Sequence, residues 1–349
     1  MNDFNQYIKH CLQLAEKGMG YVAPNPMVGC VIVYKDKVIG EGYHQQYGGL
    51  HAEVNAINSV SDKSKLVEST LFVNLEPCFH HGKTPPCCDL IIKNKIKRVI
   101  IGCLDTNPLV AGKGIEKLKQ EGVEVITDVL KDECRELNKR FFTYHEKNRP
   151  YIILKWAQTK NGFIAKLPPF TREENWITND TSNEISHTWR AQEEAVLIGT
   201  NTALLDNPKL TARLSKGKNP LRVLIDKDLK VPALNNIFSD EAEIMVFTNK
   251  VQSAKNTISY HLIDFTKDII PQILEALYHK KITSLIIEGG THTLQIFINK
   301  NLWDEARIFT GDKIFKEGLK SPAIFGEEIS AVSIGGDTLR LLIPILKMN

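Results

Sequence analysis

Three short strings early in the chain carry side chains able to hold a metal ion: His51-Ala52-Glu53, Pro77-Cys78 and Pro86-Cys87. One imidazole and two thiolates suit zinc, which takes nitrogen and sulfur ligands in a tetrahedron. Three protein ligands leave one corner for water, the arrangement of a catalytic rather than a closed structural site. Bound zinc lowers the pKa of such a water to about 7, and Glu53 is then free to move protons. The competing reading is a structural zinc with a fourth protein ligand, Cys88 or His80.

The spacing resembles the zinc deaminase signature H-x-E…P-C-x-x-C, whose Glu is a general acid/base and not a ligand. The first half matches. In the second, the eight residues Phe79 to Pro86 stand between the cysteines instead of two. That insertion holds His80, His81 and Lys83, which could form part of a substrate pocket. Cys88 adjoins Cys87, and Cys87 is preferred because it directly follows Pro86. His44, His80 and His81 read as polar surface or pocket residues rather than ligands. Residues two apart on a helix lie roughly 200° apart. His51 and Glu53 can therefore serve one ion only if it sits off the start of their helix.

Alternating helix and strand signals surround these strings. Phe4, Ile8, Cys11, Leu12 and Ala15 recur at helical spacing. Val28 to Val33 and Val38-Ile39-Gly40 flank a Lys35-Asp36-Lys37 turn and read as a hairpin. Ala52 to Val60 is expected to be helical, Thr70 to Leu75 a strand, and Leu90 to Ile92 part of a helix. Arg98 to Ile101 and Val123 to Ile126 read as strands, with Ile115 to Gln120 and Glu133 to Glu146 as helices. This alternation predicts a mainly parallel sheet covered on both faces. Lys147-Asn148-Arg149-Pro150 breaks the last helix, and the domain boundary is placed there. Beyond it the α/β alternation resumes, with strands expected near Tyr151, Ala195, Arg222, Glu243, Ser284 and Ala306. Leu167 to Asn175 reads as a loop.

The 349 residues are room for about two domains. Charged residues make up 24% with a net charge of +3, which argues against a protein that coats nucleic acid. No apolar run of about 18 residues predicts a membrane helix. Seven cysteines, all within the first 134 residues, and an N-terminus without signal-peptide character fit a reducing cytoplasm better than a disulfide framework.

Five strings taken together resemble one family: Pro24-Asn25-Pro26-Met27-Val28-Gly29-Cys30, Gly42-Tyr43-His44, His51-Ala52-Glu53-Val54, the run from Leu75 to Cys87, and the run from Asp105 to Gly114. They resemble the bifunctional riboflavin biosynthesis proteins, which join a pyrimidine deaminase to a ribosyl reductase and carry the same long insertion. The resemblance implies a cytidine-deaminase-like three-layer αβα domain over residues 1–147 and a dihydrofolate-reductase-like α/β domain over 148–349. The first would hydrolyse the 2-amino group of 2,5-diamino-6-(5-phosphoribosylamino)pyrimidin-4(3H)-one. The second would reduce the ribosyl group of 5-amino-6-(5-phosphoribosylamino)uracil to ribityl with NADPH. His51, Cys78 and Cys87 would bind zinc, Glu53 would move the proton, and Asn25 would hydrogen-bond the substrate. A homodimer or larger assembly of one chain is implied, acting on a small pyrimidine ribosyl phosphate.

The second half carries weaker signals of its own. Glu288-Gly289-Gly290-Thr291 lies between a strand and a helix, where backbone N–H groups favour phosphate, but G-x-G-x-x-G is absent. By the resemblance, Gln158, Trp176, Thr202 and Asp206 line the NADPH site, with Gly290, Thr291, His292, Thr293, Leu294, Gln295 and Ile296 at its phosphates. Arg190, Leu210, Arg213 and Glu288 would bind substrate. Lys160, Glu174 and Lys227 depart from the family pattern. The alternative function is a nucleic-acid-editing zinc deaminase with a C-terminal binding module, which the near-neutral charge disfavours.

Overall fold

The computed structural model describes residues 4–79, 85–106, 112–168 and 171–345, and the chain divides into two compact units, residues 1–148 and 149–349. Among the described residues, no helix is long and apolar enough to cross a membrane.

The first unit opens with α1 (Phe4–Glu16) and a hairpin of β1 (Gly29–Tyr34) and β2 (Lys37–Tyr43). There follow α2 (Ala52–Ser59), β3 (Thr70–Leu75), α3 (Cys87–Lys93), β4 (Arg98–Cys103), α4 (Lys113–Gln120), β5 (Glu124–Ile126), α5 (Lys131–Leu137) and α6 (Lys139–Lys147). The sheet order is β2-β1-β3-β4-β5. β3, β4 and β5 are parallel, whereas β1 is antiparallel to both β2 and β3. The sheet is thus mixed, not mainly parallel. Lys35 and Asp36 both adopt positive φ and turn the chain back at once, and so short a connection permits only an antiparallel neighbour.

Period-two alternation sends Cys30, Ile32, Leu71, Val73, Val99 and Ile101 beneath α2, α3 and α4. Val31, Val33, Phe72 and Ile100 face α1, α5 and α6 on the other side. Three layers result. The closing helix expected over Glu133 to Glu146 is in fact two, because Asn138 stands between them with its side chain turned to backbone. Its Oδ1 accepts the Met27 N–H at 2.8 Å and its Nδ2 donates to the Met27 carbonyl at 2.9 Å. Asn offers this alternative to helical pairing readily. Asn74 grips the same segment, accepting from Gly29 N at 2.8 Å and donating to the Met27 carbonyl at 3.0 Å. A Cβ on Gly29 would fall 2.0 Å from the Cys11 carbonyl oxygen, so α1 can cross β1 only at a glycine.

The second unit runs β6 (Tyr151–Thr159), β7 (Phe163–Ala165), α7 (Arg172–Asn175), α8 (Asp180–Gln192), β8 (Ala195–Gly199), α9 (Thr200–Asp206), β9 (Leu221–Ile225), β10 (Ile244–Thr248) and β11 (Ile258–Leu262). It continues with α10 (Ile269–His279), β12 (Ser284–Ile287), α11 (Thr291–Asn299), β13 (Glu305–Gly311), β14 (Leu319–Lys320), β15 (Glu327–Ile334) and β16 (Asp337–Ile343). The large sheet has the order β11-β10-β9-β8-β12-β6-β13-β16-β15. It is parallel from β11 to β13 and antiparallel beyond. Leu154, Leu197, Val223 and Phe247 pack under α10 and α11, while Ile153, Val196, Leu224 and Val246 pack on the opposite face with Ala203 of α9. The stretch read as a loop before Asn175 contains α7. Its cap is a reciprocal pair in which Thr171 Oγ1 accepts from Glu174 N and Glu174 Oε2 accepts from Thr171 N.

Candidate active site

Each metal-binding candidate sits at the edge of an element, facing one point. His51 is the N-cap of α2 and makes no side-chain capping bond, so its ring is free to turn toward the cysteines. Cys78 follows the end of β3 by three residues, and Cys87 is the first residue of α3, after Pro86 at the cap. The His51 Nδ1 lies 3.5 Å from Cys78 Sγ and 3.3 Å from Cys87 Sγ, and the three donor atoms fall within 4.8 Å of one another. Because His51 precedes the helix, the angular conflict with Glu53 does not arise. The donor set is one nitrogen and two sulfurs, the softness zinc favours. Cys88 turns away, its thiol directed at the Pro77 and Gly114 carbonyls within the core.

Electrostatics suits a cation. The Cys78 thiol is lowered to about 4, first by hydrogen bonding with Cys87 and further by His51 and the Cys87 backbone N–H. The same pairing and burial push Cys87 up. Glu53, in the first turn of α2, is only 3% exposed. Burial raises it to about 7, with the Cys78 charge adding to the shift.

Sequence reasoning missed Glu76. It is buried, and its carboxylate accepts backbone N–H groups from Asp105 (3.4 Å), Gly112 (3.0 Å), Gly114 (3.1 Å) and Ile115 (3.4 Å). It thereby pins the start of α4 against the residue pair that leads into Cys78. A carboxylate at the apolar end of a strand, just before Pro-Cys, was the available signal. His44, expected at the surface or in a pocket, is buried and stacks edge-on to His51 at 5.6 Å. Burial lowers its pKa. Asn25 lies beside it, Nδ2 to Nε2 3.0 Å. His80, His81 and Lys83 lie outside the described residues.

In the second unit Glu288, just past β12, receives a two-pronged contact from Arg190 of α8: Nε to Oε1 at 2.7 Å and Nη2 to Oε2 at 2.6 Å. Lys155 of β6 stands 3.8 Å from Oε2. Burial alone would raise Glu288, but the Arg190 and Lys155 charges outweigh it and hold the carboxyl at about 2. Arg190 also donates to the Thr211 carbonyl at 3.3 Å, next to Leu210, which is buried with φ 53°. Arg213 is exposed. His187, one turn before Arg190 on α8, is buried and lowered to about 4, by burial first and then by Arg190 and Arg213. No sequence signal had singled out Lys155 or His187.

The turn after β8 and the turn after β12 meet at the carboxyl ends of parallel strands, where open α/β sheets bind ligands. Gly290 N donates to Thr202 Oγ1 at 2.8 Å, and a Cβ on Gly289 would come within 3.1 Å of Gly199 N. Asp206 ends α9 and is exposed. Thr291, His292 and Thr293 form the first turn of α11. Leu294 is fully buried in the core, Ile296 packs against it, and Gln295 is engaged with the Ala323 backbone, so these three can offer a ligand mainly their backbone. Gln158 accepts from Trp156 Nε1 at 2.9 Å, and the Trp176 carbonyl accepts from Lys313. Glu174, a departure from the family pattern, is committed to its helix cap.

A zinc-type deaminase site in one αβα unit and a ligand crevice at a parallel sheet's carboxyl edge in another define a two-activity enzyme. The cytidine and deoxycytidylate deaminase zinc-binding region family matches residues 1–103, and the RibD C-terminal domain family matches 150–338. The riboflavin biosynthesis protein RibD of Aquifex aeolicus is 42% identical over 318 residues, 90% of this chain and 88% of that protein. A diaminohydroxyphosphoribosylaminopyrimidine deaminase/5-amino-6-(5-phosphoribosylamino)uracil reductase from Thermotoga maritima superposes with a TM-score of 0.89 at 36% identity, covering 98% and 99% of the two chains. Acinetobacter baumannii RibD superposes with 0.88 at 29% identity, with the same coverage. The chain belongs to the RibD family of riboflavin biosynthesis proteins. It is a bifunctional deaminase and reductase, with a zinc-binding deaminase domain and a reductase domain of the kind that uses a nicotinamide cofactor.

Proposed function

We propose that residues 1–147 hydrolyse the 2-amino group of 2,5-diamino-6-(5-phosphoribosylamino)pyrimidin-4(3H)-one, and that residues 148–349 reduce the resulting ribosylaminouracil to its ribityl form with NADPH. The observation that carries the first step is the convergence of His51, Cys78 and Cys87 beside the buried Glu53 carboxyl. Zinc held by those three side chains supplies the Lewis acidity that makes water a nucleophile near neutral pH. Glu53 takes one proton from the attacking water to the bare ring nitrogen and then carries the remaining hydroxyl proton to the departing amine. Ammonia leaves as the 2-oxo group forms. Asn25 holds the pyrimidine edge.

In the second step NADPH supplies the hydride. Arg213 serves the substrate, the planar fork of arginine matching its 5-phosphate, while Arg190, its own fork held by Glu288 and the Thr211 carbonyl, lines the substrate side as a fixed positive charge. The Arg190–Glu288 contact orients both groups, and Leu210 borders the same segment. Thr202, Asp206, Gln158, Trp176 and the run from Gly290 to Ile296 form the cofactor side, with the first-turn N–H groups of α11 suited to phosphate. Seven free cysteines agree with a cytoplasmic enzyme, and a homodimer or larger assembly is the proposed state.

The test is sequential: purified zinc-loaded protein receives the diaminopyrimidine phosphate, with ammonia measured first and NADPH oxidation second. Both signals are expected, with NADH a poorer reductant, and sedimentation of the same sample should exceed the monomer mass. Ammonia without NADPH oxidation would confine the proposal to the first unit, and no ammonia would defeat it.

A further inference from the structure

Asn25 and His44 add something to the deamination reading, on which the following rests. His44 follows β2 and is 3% exposed, with its backbone N–H bonded to the Val28 carbonyl at 2.9 Å. Its Nδ1 lies 2.9 Å from the Leu50 carbonyl oxygen and its Nε2 3.0 Å from Asn25 Nδ2. A carbonyl oxygen only accepts, so Nδ1 carries the ring proton, and in the neutral imidazole Nε2 is the acceptor. Asn25 must therefore meet it with an amide N–H. The Leu50 carbonyl is itself restrained, since Asn55 Nδ2 reaches it at 3.5 Å and the Tyr43 carbonyl at 2.9 Å. The ring borders the metal-ligand cluster through His51.

We infer that His44 is a positioning residue for deamination. By accepting an N–H from Asn25 it commits the Asn25 amide to one orientation, with Oδ1 left as a dedicated acceptor for substrate. The site is thereby matched to pyrimidines that present a ring N–H beside the amino-bearing carbon, as a 2-aminopyrimidin-4(3H)-one does. It is mismatched to those with no ring N–H on either side of that carbon, such as cytosine. The asparagine reads the ring, and the histidine decides which of its two ends does the reading.

The test uses the full chain loaded with zinc, in wild type, His44→Leu, His44→Gln, Asn25→Ala and the double variant His44→Leu/Asn25→Ala. Ammonia release gives kcat and KM, and metal analysis gives zinc per chain. His44→Leu should raise KM about tenfold, the worth of one hydrogen bond made equally in ground and transition states, with kcat less affected and zinc content unchanged. His44→Gln should recover most of the loss, because its amide oxygen can accept from Asn25. The double variant should be no worse than Asn25→Ala alone, because His44 acts only through Asn25. Losses that multiply in the double variant, or a Gln variant no better than Leu, would overturn the inference. A measurement on wild type alone guards against a variant that does not fold: the N3-methylated diaminopyrimidine phosphate should inhibit at least about tenfold more weakly than the unmethylated substrate binds, and equal binding would overturn the inference. Wild type that releases no ammonia would instead defeat the deamination reading itself.

Discussion

Replacing Glu76 by glutamine should cost the first unit much of its stability while barely changing its shape. Oε1 accepts from Gly114 and Ile115, and Oε2 from Asp105 and Gly112. Whichever oxygen becomes the amide NH₂, one bond near 3.0 Å and one at 3.4 Å are lost, and a donor is left facing donors. A hydrogen bond to a charged group contributes about 1.5–3 kcal/mol, and an unmet buried donor costs about 1–3 kcal/mol. Giving the 3.4 Å contact little weight, the net loss is about 3 kcal/mol. For a unit of this size each kcal/mol moves the midpoint by roughly 2–4 °C, so Glu76→Gln should melt about 6–12 °C lower. Calorimetry of the full chain reads this directly, with the first unit's transition assigned as the one that shifts when zinc is removed by a chelator. A shift within about 2 °C of wild type would show that the four N–H groups are satisfied without the charge, and the reasoning would fail.

Glu53→Gln should keep its zinc by metal analysis yet lose ammonia release by at least about 10²-fold, the scale of general acid–base help; unchanged activity would remove Glu53 from the mechanism. Arg213→Ala should weaken NADPH oxidation about tenfold or more while ammonia release persists, and equal loss of both would contradict separate sites. Acid should destabilise the second unit. His187 is held at about 4 against an ordinary 6.5, and Glu288 at about 2 against 4.5, so below those ordinary values the unfolded chain binds more protons than the folded one. The His187 and Glu288 contributions should be full above pH 6.5, with the His187 part lost between 6.5 and 4 and the Glu288 part between 4.5 and 2. The melting midpoint of that unit at fixed salt checks this, and a midpoint that holds or rises toward pH 4 would refute it.

The chemistry of the first unit was legible because its residues come in short strings. A His-x-Glu and two Pro-Cys pairs mark the ends of local elements, and the fold needs only to bring those ends together. What the strings could not convey was which partner each side chain takes. The Pro86 before it singled out Cys87, but only the turn of α3 shows why Cys88 is not a ligand, sending one thiol to His51 and the other into the core. Glu76, Asn74 and Asn138 work by gripping backbone many residues away, and such pairings leave no periodic trace. The break between α5 and α6 was hidden for the same reason, since the apolar spacing runs through Asn138 while its amide serves Met27. The β15–β16 hairpin, by contrast, was readable and overlooked: Gly335-Gly336, both at positive φ, sits between two alternating runs. In the second unit the site is assembled from α8, β6 and the turns after β8 and β12, so no single window of sequence contained it.

The clasp between Asn138 and Met27 spans 111 positions, and this bears on how the protein comes into being. A chain growing from the ribosome can form the β1–β2 hairpin and α2 early, since those contacts are local. Asn74 can take its hold on Met27 and Gly29 soon after, yet the second clasp on Met27 waits until Asn138 has cleared the exit tunnel. Such distant closures form late and slowly. The segment beside Asn25, among the first parts to be translated, is thus among the last to be fully clasped, and a nascent chain arrested before that point would carry His51, Cys78 and Cys87 but only the Asn74 half of the hold on Met27.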